Sequence, residues 1–185
     1  MTSTEKIEAF LAEPRNVVVA GIRRDGRPHL SPNWFYWDGE RLYVSTTRGR
    51  LKYAIFRRDP RAQLLVDDPV GFRALLIPAS VDIREDIAAE LPRFRAIREK
   101  HGVAVPPDQE LLRALMEQGR VLLAITPDRP PSGWTRWAWT DWHRLRPVAT
   151  AATRLPAQVR YRDPLMPPWA RSDGRRGGAA GCAAG

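Results

Sequence analysis

The 185-residue sequence predicts a mainly β chain of the α+β type: a barrel-like antiparallel sheet with short helices at its periphery. Three observations predict it. About seven short segments rich in β-branched and aromatic residues are bounded by Gly, Pro, Asn or Asp. The first strands are separated by Asp25-Gly26 and Asp38-Gly39, pairs that suit tight hairpin turns, the first of type I′. Helical spacing is confined to short stretches, and no Gly-x-Gly-x-x-Gly follows a strand, as a dinucleotide-binding α/β fold requires.

Residues 4–13 form an amphipathic helix, with Ile7, Phe10 and Leu11 on one face and Pro14 as its stop. Val17 to Ile22 is a compact buried strand, and Pro28 to Trp37 returns beside it. Arg41 to Thr46 alternates apolar and polar positions and completes an antiparallel meander of three strands. Tyr53 to Arg58 suits a short helix that Asp59-Pro60 closes, and Ala62 to Asp67 is the next strand. After the turn at Asp68-Pro69, residues 72–84 make a further strand. Pro78 argues for an edge position or a bulge there, because it cannot donate to a ladder. Ile87, Leu91, Phe94 and Ile97 mark a helix over 85–101 despite Pro92, and Pro107 to Gln118 marks a second. Val121 to Ile125 is a buried strand. The alternating, Trp-rich stretch from Gly133 forms a last strand ending near Arg146. Residues 1–146 thus make one domain. Residues 147–185, rich in Ala, Arg, Pro and Gly, form a largely disordered tail, since such a composition buries too little apolar surface to offset its ordering entropy.

Composition narrows the function. No apolar run reaches the roughly 18 to 20 residues of a membrane span, and the acidic N-terminus lacks the core of a secretory signal, so a cytoplasmic protein is expected. Cys182 is the only cysteine and lies in the Gly/Ala tail, which excludes an internal disulfide or a cysteine metal cluster. His29, His101 and His143 lack metal-ligand spacing, so no metal is expected. The formal charge is +9, of which residues 151–185 carry +4, so the first 150 residues are only modestly basic. That balance suits a polyanionic cofactor as well as nucleic acid. There is no Gly-x-Ser-x-Gly elbow for a serine hydrolase.

Two segments can carry chemistry. Ser45-Thr46-Thr47-Arg48-Gly49-Arg50-Leu51-Lys52 places hydroxyls at a strand end, a glycine turn, and cations where a helix begins. Hydroxyls, guanidinium forks and free N–H groups at a helix N-terminus together make a phosphate site. A solvated polar turn is the plain alternative. Ser31-Pro32-Asn33-Trp34-Phe35-Tyr36-Trp37 sends alternate aromatics to opposite faces of a strand, one for the core and one for a planar ring or a second subunit.

The hairpin Gly26 to Gly39, the segment Tyr43 to Lys52 and the Arg57-Arg58-Asp59-Pro60-Arg61 turn, in this order and spacing, resemble the pyridoxamine 5′-phosphate oxidase-like superfamily over about residues 5–146. Within it the chain is similar to the branch that uses the deazaflavin coenzyme F420. The resemblance implies a split β-barrel, FMN-binding-like, and a homodimer with cofactor sites at the subunit interface. It implies that Thr47, Arg50 and Lys52 contact the cofactor phosphate, with Ser45, Thr46 and Arg48 as helpers, and that Pro32, Asn33 and Trp34 lie beside the ring system. The implied activity is hydride transfer between the deazaflavin and a small conjugated electrophile, with no catalytic side chain, because the cofactor carries the chemistry. FMN is the alternative cofactor. A non-catalytic flavin or haem-pigment binder is the alternative role, and a nucleic-acid partner is not expected. The helices over 85–118 exceed what a minimal barrel of this kind needs.

Overall fold

The computed structural model describes residues 3–68 and 73–137. The predicted domain boundary near 146, the tail, Cys182 and most of the last strand lie outside the described residues. Helix α1 (Ser3–Ala12) leads into strands β1 (Asn16–Ile22), β2 (Pro28–Trp34), β3 (Tyr36–Trp37) and β4 (Leu42–Thr47). Helix α2 (Leu51–Arg58) precedes β5 (Arg61–Asp67) and β6 (Ala74–Arg84). Helices α3 (Ile87–Lys100) and α4 (Asp108–Glu117) are followed by β7 (Arg120–Pro127) and a short β8 (Thr135–Trp137). Every described pairing is antiparallel, in the order β2-β1-β5-β6-β7-β4-β3, with β8 beside one end of β6.

That order explains the curl. Strands β2 and β3 are the two ends of the sheet, yet only Phe35 separates them in sequence. The expected single strand Pro28–Trp37 therefore breaks at Phe35: its first part pairs with β1 and its last two residues pair with β4. The three strands are not a flat meander, because β5, β6 and β7 lie between β1 and β4. Phe35 joins the two ends and is fully buried. This is a split β-barrel. Its interior is filled by Val17, Val19, Leu42, Val44, Leu64 and Ile125 among others, with Ile55 and Phe56 of α2 inserted. Gly21 permits that insertion, since a Cβ there would stand 2.9 Å from Ile55 Cγ2.

Two further expectations change and a third is refined. The first hairpin is not a two-residue type I′ loop: Gly26 N donates to Arg23 O, so Arg24 and Asp25 are the central residues and Gly26, at φ 80°, follows them. Helix α2 starts two residues earlier than expected, which places Lys52 in its first turn. Pro78 lies in a central strand, paired with Gln63 of β5 on one side and at a local edge on the other, where no strand is paired with it. Its carbonyl accepts from Asp128 N, so its ring nitrogen faces the gap between the last β8 partner, Leu76, and the first β7 partner, Ala79. The pair with Asp128 therefore keeps one of its two possible bonds, and proline is tolerated because the ladder to β7 ends at this point.

Strand β7 is buried on both faces. Leu123 and Ile125 face the barrel, whereas Leu122 and Ala124 meet Tyr43 and the apolar faces of α3 and α4. The two extra helices thus cover the outer face of β4 and β7. Among the described residues no helix covers the outer face of β1 and β2 in this way: Ile22, Leu30 and Trp34 are 42%, 61% and 47% exposed. No described helix is long and apolar enough to cross a membrane.

Candidate functional site: an anion cradle where β4 meets α2

Strand β4 ends at Thr47 and the chain turns through Arg48 and Gly49, with Arg50 N donating to Thr47 O at 3.1 Å. Arg50 is the N-cap of α2, in extended conformation, and supplies no side-chain acceptor; the first turn of the helix contains no acidic residue. Free N–H groups and the positive end of the helix dipole are thus left for an external acceptor.

Cations gather at this point. Lys52 is only 9% exposed, and its Nζ donates to Oδ1 of Asn33, which in turn donates from Nδ2 to Ser31 O at 2.6 Å. Neither partner is an anion. Burial first, then the neighbouring Arg50 and Arg120, lower Lys52 to about 8. Arg50 is exposed and forms no ion pair among the described residues. Arg120, the first residue of β7, lies opposite Thr47 in the ladder and donates from Nη1 to Ser45 Oγ at 3.2 Å. Its affinity for protons is lowered by burial, then by Arg50 and Arg98. Between Ser45 and Thr47, Thr46 is 3% exposed and its Oγ1 has no hydrogen-bond partner. Packing cations together without a carboxylate costs roughly several kcal/mol per desolvated ion, which an incoming anion would offset. The residues present therefore fit a phosphate.

The structure brings Asn33, Ser45, Thr46, Thr47, Arg50 and Lys52 around the β4–α2 junction and places the others differently. Arg48 pairs with Glu85 at 3.3 Å and borders a cavity of about 310 Å³ with Ile87, Leu112 and Met116. Pro32 and Trp34 point to the outer face of β2, opposite to Asn33, because alternate residues of a strand face apart. Trp34 stacks on His101 with ring centroids 4.7 Å apart and planes at 12°. Lys100 holds its Nζ 3.2 Å above the Phe35 ring and lacks a hydrogen-bond partner; burial and then Arg15 lower it to about 7. The C-terminal end of α3 thus clasps the Phe35 junction.

Arg120 escaped the sequence reading. It lies 75 residues from Ser45 and enters the site only through the β4–β7 ladder. Local sequence around it offers only Gly119, at φ 59°, as the mark of a turn before a strand. Among the described residues no three His, Cys, Asp or Glu side chains are grouped as a metal site.

Comparisons with known proteins identify the family and agree with the fold. A family model described as pyridoxamine 5′-phosphate oxidase matches residues 3–129. A solved F420 reductase is 27% identical, over 66% of this chain and 93% of its own, with a TM-score of 0.54. A conserved hypothetical protein from Mycobacterium tuberculosis is 23% identical, over 83% of this chain and 94% of its own, with a TM-score of 0.66. The haem storage protein HutZ from Vibrio cholerae is 18% identical, over 74% and 96%, with a TM-score of 0.58; at that identity the likeness concerns the fold.

Proposed function

The chain belongs to the pyridoxamine 5′-phosphate oxidase family, and on that premise we propose that it is an F420-dependent oxidoreductase acting on a small conjugated electrophile. The observation that carries this reading is the cation cluster at the start of α2, which holds no carboxylate among the described residues. Such a cradle suits a phosphate held by Arg50, Lys52, Thr47 and the helix N-terminus. Asn33 fixes the Lys52 amine, so the cation is positioned before any ligand arrives. The likeness to a solved F420 reductase favours the deazaflavin over FMN. When bound, the cofactor supplies the hydride; the protein's part is to hold, orient and shield it, and no side chain is assigned as nucleophile.

Fluorescence titration of the ligand-free protein with F420 and, in parallel, FMN tests the reading. Tighter binding of F420 than of FMN supports it, and turnover of conjugated electrophiles with the reduced cofactor completes it. Preference for FMN moves the protein to an FMN-dependent oxidoreductase of the same fold. Binding of neither ends the proposal.

The reading includes a homodimer. On the outer face of the sheet, Leu30 lies beside Ala20, Pro32 beside Val18 and Trp34 beside Asn16, and the apolar stripe continues through Leu65 and Leu76. A second copy seated there would cover Leu30 and Trp34 and bring its own chain beside the Pro32–Trp34 segment, where the cofactor ring is proposed to lie. Leu30→Asp is expected to convert the dimer to a monomer in light scattering. A variant that stays dimeric at the wild-type mass would place the interface elsewhere.

A further inference from the structure

Arg120 is a half-buried cation with no anion of its own. Its Nε donates to Gln118 Oε1 at 2.9 Å and its Nη1 to Ser45 Oγ at 3.2 Å, and it forms no ion pair among the described residues. Two neutral acceptors occupy part of a planar fork of five donors, and the remainder are unassigned. These contacts fix its orientation without neutralising it. The pairing of Thr47 with Arg120 sets the guanidinium at the end of β4, beside the turn that leads into α2. Several surface arginines do find carboxylates: Arg61 with Asp59, Arg73 with Asp68, Arg84 with Asp82 and Arg95 with Asp108. Arg98, the nearby α3 arginine, spends Nε and Nη2 on its own loop carbonyl at Ala104.

We propose that Arg120 is a direct ligand of the cofactor's phosphate, supplied by β7 across the sheet from the Ser45–Lys52 motif. The proposal rests on reading the β4–α2 junction as the anion site. Lys52 then acts as a point charge from the barrel side and Arg120 as a rigid fork from the β7 side, so that the anion is held between two elements far apart in sequence. Gln118 and Ser45 serve to aim the fork. An arginine retained merely for packing would tolerate an uncharged replacement without loss of ligand discrimination.

The test pairs Arg120→Gln and Arg120→Lys with ligands that differ in phosphate alone. FMN and riboflavin are titrated by flavin fluorescence, and inorganic phosphate is scored by the shift in melting temperature it causes. Arg120→Gln is expected to weaken FMN by about tenfold to a hundredfold, to leave riboflavin unchanged and to abolish stabilisation by phosphate. Arg120→Lys should recover part of the FMN affinity, since it keeps the charge and loses the fork. Equal weakening of FMN and riboflavin, or an unchanged FMN affinity in a folded variant, overturns the proposal. If Arg120→Gln does not fold, Arg120→Lys decides alone: an FMN-selective loss supports it and parallel losses overturn it. Failure of the oxidoreductase reading looks different. There, the wild-type protein would bind no flavin or deazaflavin, yet phosphate would still stabilise it in a manner lost on Arg120→Gln.

Discussion

Lys52→Met is expected to weaken binding of the phosphate-bearing cofactor by about 1.5 to 3 kcal/mol, roughly tenfold to a hundredfold, while the fold stays at least as stable. Both halves follow from one fact. The amine is buried, bonded among the described residues only to the neutral Asn33, and lies close to Arg50 and Arg120, so its charge is unfavourable until an anion arrives. The sign in pH is fixed by the same fact. Lys52 is lowered from 10.5 to about 8 in the folded protein, so between those values the unfolded chain binds more protons and stability rises with pH. Its cost is fully present below about 8. Lys100, lowered to about 7, contributes with the same sign, so the difference between wild type and Lys52→Met isolates Lys52. Cofactor affinity runs the other way: it is full while Lys52 is charged and falls as pH rises through about 8. Isothermal titration across pH 7 to 10 in two buffers, a range of roughly three units around a lysine perturbed by burial, reads the proton uptake directly. A wild-type affinity flat over that range, or one that Lys52→Met leaves unchanged, would remove Lys52 from the phosphate site.

The second large effect concerns the barrel closure. Phe35→Ala is expected to cost about 3 to 5 kcal/mol of stability, the range for deleting a fully buried aromatic side chain. The ring sits at the one position where the chain passes from the β1 side of the sheet to the β4 side, and Lys100 covers it from α3. Its loss leaves a cavity and removes the partner of a buried amine. Because Asn33 lies two residues away and positions Lys52, cofactor affinity should fall together with stability. Urea denaturation of both forms measures the first effect and titration at low temperature the second. A loss below about 1 kcal/mol would mean that the junction relaxes and that Phe35 is not what holds the two ends together.

Much of this was legible in the sequence. The β-branched run Val17-Val18-Val19 fixes a strand because its alternate side chains fill the barrel, and the glycines at 26 and 39 take positive φ that other residues resist. The order of hydroxyls, glycine and cations from Ser45 to Lys52 marks a candidate anion site by chemistry alone, because all its members are local. The break at Phe35 was not legible: Pro28–Trp37 alternates without interruption, and nothing local says that a strand changes partners midway. Nor was the tolerance of Pro78, which depends on where two other strands stop.

By itself, then, the sequence determined the β-rich class, the short helices and the local cluster of hydroxyls and cations proposed as the phosphate site, since each depends on side chains within a few residues of one another. Only the tertiary structure decided that Asn33 would bond Lys52, that Arg48 would turn to Glu85, and that Arg120 would stand opposite Thr47. Those contacts are set by strand register and barrel curvature, which arise when the whole core packs and which no short window of residues encodes.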